Sequence, residues 1–264
     1  MTQYHSKPVS EHGHIDWDQD EHAVWHELIT RQQEVVKTRA CQAYLDGLNM
    51  LNLPTDRLPQ LPEINRVLQR ETGWQVEPVP ALISFDRFFA LLADKKFPVA
   101  TFLRRREEFD YLQEPDFFHE VYGHCAMLTH PDFAAFTHVY GQLGAKATPK
   151  ERSYLARLYW FTVEFGLVQE QGQTKIYGGG ILSSPGETLY ASESTIPKRE
   201  PFDIMQVLRT PYRIDIMQPI YYVLPDLSQL YQLSQRDVMG LVWQAMQDGL
   251  LPPLFQPKEQ QHAG

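Results

Sequence analysis

A pair of histidines five residues apart is the feature that most constrains this chain. They bound the segment His119-Glu120-Val121-Tyr122-Gly123-His124. A regular α-helix turns about 100° per residue, so positions i and i+4 share a face, whereas i and i+5 lie roughly 140° apart. Two histidines at this spacing cannot both reach one ion from an undistorted helix. We therefore expect the helix to loosen or end at Gly123, so that His124 turns back toward His119.

A third candidate ligand, Glu164, lies in the segment Tyr159-Trp160-Phe161-Thr162-Val163-Glu164-Phe165. Upstream, Thr148-Pro149-Lys150-Glu151 has the form of a capping box with proline at the first helical position, which predicts a helix start. Glu164 would then lie in largely aromatic surroundings, where a carboxylate is costly to bury unless a metal or a partner neutralises it. Two imidazoles and one carboxylate on one face of an ion are typical of non-haem Fe(II) oxygenases. The pattern predicts Fe(II) bound by His119, His124 and Glu164.

Two other classes of protein stay open at this point. In the motif H-E-x-x-H, histidines four apart bind zinc and the glutamate is a hydrolytic base. The segment here is one residue longer, but Glu120 would be available as a base in a zinc hydrolase. A binding module without catalysis is disfavoured because all three ligands are present. A second pair, His22 and His26, has helical spacing, yet its polar, acidic surroundings indicate a solvated helix face.

The hydrophobic pattern predicts a mainly α-helical chain with a few short β-strands. Pro115 and Asp116 are expected in the first turn of the helix that carries His119. Gly178-Gly179-Gly180 lacks the residues that follow in a phosphate loop and is expected to form a tight turn. We expect helices over residues 18–41, 61–71, 85–94, 116–122, 131–143 and 149–168, and strands near residues 82–83, 99–103, 174–177 and 221–224.

Length and composition favour a single compact domain over residues 1–264. With 264 residues, 43% hydrophobic and 12% aromatic, the chain can bury one sizeable core, which we place at about residues 15–250. The first 14 or so residues and the tail from about residue 252 are expected to be flexible. A net charge of -9 argues against nucleic acid as a partner. No apolar stretch is long enough for a membrane span, and two cysteines, Cys41 and Cys125, suit a reducing cytoplasm.

Three segments carry a resemblance to a known family. They read EPDFFHEVYGH from Glu114, YWFTVEFGL from Tyr159 and YGGGILSSPGE from Tyr177. The chain resembles the catalytic domain of the tetrahydropterin-dependent aromatic amino acid hydroxylases, firmly from about Gly73 to Val223. Within that family it is most similar to the short bacterial enzymes that act on phenylalanine.

This resemblance implies the fold of that catalytic domain and a non-haem iron monooxygenase. Such an enzyme would hydroxylate L-phenylalanine to L-tyrosine with dioxygen and a tetrahydropterin, either tetrahydrobiopterin or a bacterial analogue. Hydroxylation of tryptophan or of another ring position is the alternative. No segment matches the family's regulatory domain or terminal coiled coil, so a monomer or dimer is expected rather than a tetramer.

The resemblance also implies roles for individual residues. Phe88 would stack on the pterin, the backbone of Leu82 and Ile83 would meet its pyrimidine edge, and Glu120 would contact it through water. For the substrate, Arg104 matches an arginine that clamps the carboxylate, and Asp116 matches an aspartate that orients this arginine. Pro115, Trp160 and Phe165 would form the aromatic slot. Ser183 matches a serine that orients an iron-bound histidine. Ile214 stands where tyrosine hydroxylases have an acid, which favours phenylalanine.

Overall fold

The computed structural model describes residues 4–110, 112 and 114–256. Within them the chain is mainly α-helical with a few short strands, as predicted. The α-helices are α1 (Gln19–Val36), α2 (Gln42–Leu51), α3 (Leu61–Glu71), α4 (Phe85–Ala93), α5 (Pro131–Lys146), α6 (Pro149–Tyr159), α7 (Gly179–Leu182), α8 (Pro185–Glu193), α9 (Ile204–Arg209), α10 (Ser228–Ser234) and α11 (Val238–Asp248). Two π-helices span His119–Cys125 and Trp160–Glu164, and two 3-10 helices span Arg106–Glu108 and Met127–Thr129. None of the helices in the described part of the chain is both long and apolar enough to cross a membrane.

The strands form two small sheets. They are β1 (Gln75–Val79), β2 (Lys96–Ala100), β3 (Leu167–Glu170), β4 (Gln173–Ile176), β5 (Lys198–Pro201) and β6 (Ile220–Leu224). Strands β1 and β2 pair in parallel, and the second sheet has the order β4-β3-β6-β5. Its inner strand β6 is buried along its whole length, as expected of a strand covered on both faces. The chain leaving β2 leads directly to Arg104.

Local sequence signals predicted several helix ends correctly. Helix α3 spans Leu61–Glu71, the range expected. The capping box at the start of α6 is confirmed: Glu151 N donates to Thr148 Oγ1 over 3.4 Å, and Thr148 N donates to a Glu151 carboxylate oxygen over 2.6 Å. Each bond satisfies a backbone N–H at the start of the helix, where no partner exists within the helix.

The single long helix expected over residues 18–41 is wrong. Helix α1 ends at Val36, and α2 begins at Gln42. Between them the backbone pairs with strand β4, because Ile176 N donates to Arg39 O over 2.9 Å and Cys41 N donates to Ile176 O over 2.8 Å. This pairing with a residue far along the chain overrides the local helical pattern.

The strand expected near residues 82–83 is also wrong. Leu82 and Ile83 lie in the loop between β1 and α4. Pro80 has no N–H for a sheet hydrogen bond, and Ser84 caps α4 by accepting from Arg87 N over 3.2 Å. The chain has therefore left the sheet before residue 82.

The segment of residues 4–14 packs on the domain, and the flexibility expected of it stays a prediction. Lys7 N donates to Thr101 O over 2.8 Å, and Thr101 Oγ1 donates to Lys7 O over 2.9 Å. The ring of Tyr4 stacks on Phe102 with centroids 4.6 Å apart. At the other end, most of the tail expected to be flexible from residue 252 lies outside the described residues.

A buried glutamine ties the long first helix to the segment carrying Ser183. Gln32 on α1 is 1% exposed. Its Nε2 donates to Leu182 O over 2.8 Å and to Thr188 Oγ1 over 3.1 Å. These bonds hold α7 and α8 against α1.

We expect Gln32→Leu to lower the free energy of unfolding by about 1–3 kcal/mol, because it leaves the Leu182 carbonyl without this donor. Urea unfolding followed by circular dichroism measures the change. The matched control is Gln33→Leu, at the exposed neighbouring position on α1, which should change stability by no more than about 0.5 kcal/mol. Equal losses in the two variants would contradict the anchoring role.

Candidate metal centre

The wide winding of the segment His119–Cys125 brings its two histidines together. In a π-helix the backbone hydrogen bonds join residues five apart, so these residues stack one above the other. His119 Nε2 lies 3.1 Å from His124 Nε2. The helix is loosened, as the spacing required, but the loosening begins at His119 rather than at Gly123.

Gly123 has a different function from the one expected. Its φ is not positive, so it does not end the helix through a left-handed conformation. A Cβ at this position would lie 2.6 Å from Gly179 O and 3.2 Å from Ser183 Cβ. The glycine therefore permits close packing of the π-helix on α7.

Asp116 anchors the start of the histidine segment to Arg104. Its Oδ1 accepts from His119 N over 2.9 Å, which caps the helix. The same carboxylate binds Arg104 Nε, Nη2 and backbone N over 2.9, 2.8 and 2.9 Å. Burial by itself would raise the pKa of Asp116, but the charge and hydrogen bonds of Arg104 hold that pKa below its usual value. The pair is a buried, fully ionised fork that joins the segment after β2 to the first histidine.

The third carboxylate comes from the second π-helix. Glu164 is its last residue, and its Oε1 lies 3.3 Å from His124 Nε2 while Oε2 lies 3.7 Å from His119 Nε2. Burial would raise the pKa of Glu164, but the two histidines lower it, so the group is a carboxylate. Desolvation, only partly opposed by Glu164, lowers the pKa of His119 to about 4. His119 is therefore a neutral imidazole at pH 7, the form that binds metals.

Glu120 is a second carboxyl group near the histidines. It offers an oxygen within 4.8 Å of the His119 and His124 ligand atoms. Desolvation, with Glu164 and Asp116 nearby, raises the pKa of Glu120 well above its usual value. Glu164, whose oxygens lie 3.3 and 3.7 Å from the two imidazole Nε2 atoms, is the better third ligand.

A serine fixes the orientation of one imidazole. Ser183 Oγ donates to Gly179 O over 2.9 Å, so its hydrogen is already used. The contact of 2.9 Å between His119 Nδ1 and Ser183 Oγ must then run from the imidazole N–H to the hydroxyl oxygen. The unprotonated Nε2 of His119 therefore faces His124 and Glu164. Ligating histidines commonly have such a partner on their other nitrogen.

Three successive glycines line the ligands instead of forming the tight turn we expected. A Cβ at Gly178 would lie 2.4 Å from Glu164 O, one at Gly179 would lie 2.4 Å from His124 Nδ1, and one at Gly180 would lie 2.9 Å from Glu164 Oε2. All three contacts are closer than a real side chain permits. The three glycines pack directly against Glu164 and His124, and α7 begins at Gly179.

The geometry fits a divalent metal ion. An ion bound at about 2.1 Å by two imidazole nitrogens at a right angle would hold them about 3.0 Å apart. The distance of 3.1 Å between the two Nε2 atoms agrees with this value. Two nitrogens and one carboxylate on one side of an ion suit Fe(II) with an open opposite face.

Trp160 and Phe165, expected to form the aromatic slot, lie against each other with centroids 4.4 Å apart and their rings tilted by 31°. Tyr212, which sequence reasoning did not identify, stacks on Trp160 at 4.5 Å and 15°. It follows a proline in an irregular segment, and no local signal marks it. Pro115 is half-buried beside Asp116, and Ile214 is 60% exposed.

Three of the four residues expected to bind the pterin lie on or just before α4 (Phe85–Ala93), whereas Glu120 lies in the first π-helix. Phe88 is half-buried and makes edge contacts with Tyr159 at 5.4 Å and Phe89 at 5.5 Å. Leu82 is 61% exposed, and Ile83 is partly buried. In the described part of the chain, no hydrogen bond or ring contact joins these three residues to the histidines or to Glu164.

The early histidines His22 and His26 contact the loop between α2 and α3. His22 Nδ1 accepts from Leu58 N over 3.1 Å, and His26 Nδ1 lies 2.8 Å from Thr55 O. Neither belongs to a group of potential ligands in the described residues, where such a group occurs at His119, Glu120 and His124.

Comparison with known proteins identifies the family of this chain. The family model described as biopterin-dependent aromatic amino acid hydroxylase matches residues 2–238. A phenylalanine-4-hydroxylase of Pseudomonas aeruginosa is 59% identical over 98% of both chains. The apo structure of the phenylalanine hydroxylase of Colwellia psychrerythraea 34H superposes with a TM-score of 0.93 at 56% identity, covering 95% of this chain and 97% of that one. The Chromobacterium violaceum enzyme with bound Fe(III) gives 0.87 at 40% identity, covering 92% and 89%. The chain belongs to the biopterin-dependent aromatic amino acid hydroxylases.

Proposed function

We propose that this chain hydroxylates L-phenylalanine to L-tyrosine with dioxygen and a tetrahydropterin, at an Fe(II) ion held by His119, His124 and Glu164. The observation that carries the proposal is the convergence of these three side chains, with ligand atoms separated by 3.1, 3.3 and 3.7 Å. The identity of 59% to a phenylalanine-4-hydroxylase supports the choice of substrate. When bound, the iron and the reduced pterin supply the electrons that activate dioxygen.

The chain's own residues prepare the metal side of the site. Ser183 keeps the Nδ1 hydrogen of His119 engaged, so the Nε2 lone pair points toward the ion. Asp116 fixes the backbone of the same histidine. Glu164 contributes the negative charge that offsets part of the charge of the ion.

Arg104 would bind the carboxylate of the amino acid. Asp116 occupies the Nε and Nη2 atoms of the guanidinium, which sets the plane of the fork and leaves the Nη1 side for the substrate. Trp160, Phe165 and Pro115 would receive the aromatic ring. Holding both ends of the substrate fixes the ring carbon relative to the metal and keeps water out, which is the main contribution a protein makes to such a reaction.

The pterin would lie against Phe88, with its pyrimidine edge at the backbone of Leu82 and Ile83. Glu120, whose pKa is raised by desolvation, would contact the pterin through water. The cytoplasmic location and the monomeric or dimeric state stay predictions.

Product identification tests the function directly. Purified protein is supplied with Fe(II), a reduced pterin, dioxygen and L-phenylalanine, and the product is separated by chromatography and identified by mass. We expect L-tyrosine, formed only when iron and pterin are both present. A meta-hydroxylated product, or hydroxylation of tryptophan in preference, would favour the alternative hydroxylases. Bound zinc without pterin-dependent oxygen uptake would favour a zinc hydrolase.

We expect His119→Ala, His124→Ala and Glu164→Gln each to reduce tyrosine formation by at least about a hundredfold, because each removes one metal ligand or its charge. Titration of the metal-free protein with Fe(II) under anaerobic conditions should show weakened binding in the same variants. The control is His12→Ala, at an exposed position, with unchanged activity and metal binding. Retention of iron affinity by any ligand variant would overturn the assignment of that ligand.

We expect Arg104→Lys to raise the KM for L-phenylalanine by about tenfold or more, because lysine cannot form the planar fork. The KM for the pterin and the affinity for Fe(II) should change far less. Steady-state kinetics with each substrate varied in turn separates these effects. Arg105→Lys, at the exposed next position, is the matched control. A similar rise in both KM values would argue for a general structural defect instead.

A further inference from the structure

We propose that Gln218 is a positioning residue for the aromatic slot. Its amide holds residues 212–218, which we call the slot loop, against the indole of Trp160, and so places the ring of Tyr212 on that indole. The inference rests on the proposed function and extends it. Gln218 would contribute to recognition of the substrate ring by positioning Trp160 and Tyr212.

The amide of Gln218 uses its oxygen and both of its hydrogens. The side chain is buried, with 1% of its surface exposed. Its Oε1 accepts from Trp160 Nε1 over 3.0 Å, and its Nε2 donates to Arg213 O and Ile216 O, each over 2.9 Å. An indole N–H only donates and a carbonyl only accepts, so these partners fix which way the amide points.

The backbone of Gln218 is held as well. Gln218 N donates to a carboxyl oxygen of Glu187 over 3.4 Å, and the hydroxyl of Tyr221 donates to the same oxygen. Glu187 lies on α8, and Tyr221 lies on the buried strand β6. The backbone of Gln218 is therefore anchored to the core, while its side-chain amide holds the slot loop.

The hydrogen bonds of the Gln218 side chain reach residues that shape the aromatic slot. Trp160 stacks with Phe165 at 4.4 Å and with Tyr212 at 4.5 Å. One carbonyl that Gln218 holds belongs to Arg213, directly after Tyr212. Loss of the amide would leave an indole N–H and two carbonyls without these partners and would release the ring of Tyr212. A slot with a loose wall binds and discriminates aromatic side chains less well.

The first test compares Gln218→Met with Gln206→Met. Methionine has a similar length but none of the hydrogen bonds, and Gln206 is exposed on α9. We expect Gln218→Met to raise the KM for L-phenylalanine by about tenfold, the effect of one lost orienting interaction. The KM for the pterin and the affinity for Fe(II) should stay within about twofold. An unchanged KM for phenylalanine, or equal rises for phenylalanine and pterin, would overturn the proposal.

A double-mutant cycle tests whether the effect passes through Trp160. Trp160→Phe keeps an aromatic ring but has no N–H to donate. If Gln218 acts through this indole, Gln218→Met should change the KM for phenylalanine by no more than about threefold in the Trp160→Phe background. Independent effects that multiply would contradict the inference.

Limited trypsin digestion of the native protein gives a readout that needs no substrate. Gln218 binds the carbonyl of the Arg213–Ile214 peptide bond, so releasing it should speed cleavage there by about tenfold in Gln218→Met and not in Gln206→Met. If the wild-type protein makes no tyrosine, the proposed function fails while this measurement still decides the inference. If tyrosine is formed but neither cleavage nor KM changes in Gln218→Met, the inference fails and the function stands.

Discussion

The wide winding of residues 119–125 is the constraint on which the site depends. Histidines five apart point away from each other on an α-helix, whereas on this π-helix their Nε2 atoms lie 3.1 Å apart. This winding also requires close packing, because the backbone of α7 must lie directly against the π-helix to support it. That closeness explains the glycine at position 123, where a Cβ would collide with the backbone of Gly179, and those at positions 178–180, where a Cβ would collide with a ligand or its backbone.

A single buried carboxylate connects the two ends of the site. Asp116 accepts hydrogen bonds from three donors of Arg104 and from the backbone of His119. This carboxylate therefore connects the arginine fork to the backbone of the first metal ligand. Such a pair is stable in the interior because both carboxylate oxygens accept hydrogen bonds and two guanidinium nitrogens donate to them. On the aromatic side of the site, the uncharged side-chain amide of Gln218 likewise connects two segments by hydrogen bonds, the slot loop and Trp160.

Spacing and residue type were sufficient to select the three side chains that converge. The histidine spacing excluded a regular helix, and the capping box at Thr148 set the start of the helix leading to Glu164. The break after Val36 could not be predicted, because it results from pairing with Ile176, far along the chain. Tyr212 and Gln218 were missed for a related reason: they lie in an irregular segment without periodicity, and only their contacts with Trp160 give them a function.

The sequence by itself determined the mainly helical class, several helix starts and the chemical identity of the candidate ligands, since caps, periodicity and donor atoms are properties of neighbouring residues. The tertiary structure decided where the helix loosens, why the glycines are needed and how the N-terminal segment packs. Those features depend on distances between segments that are remote in the chain. Steric exclusion and hydrogen bonding act at such distances only after the fold has brought the segments together.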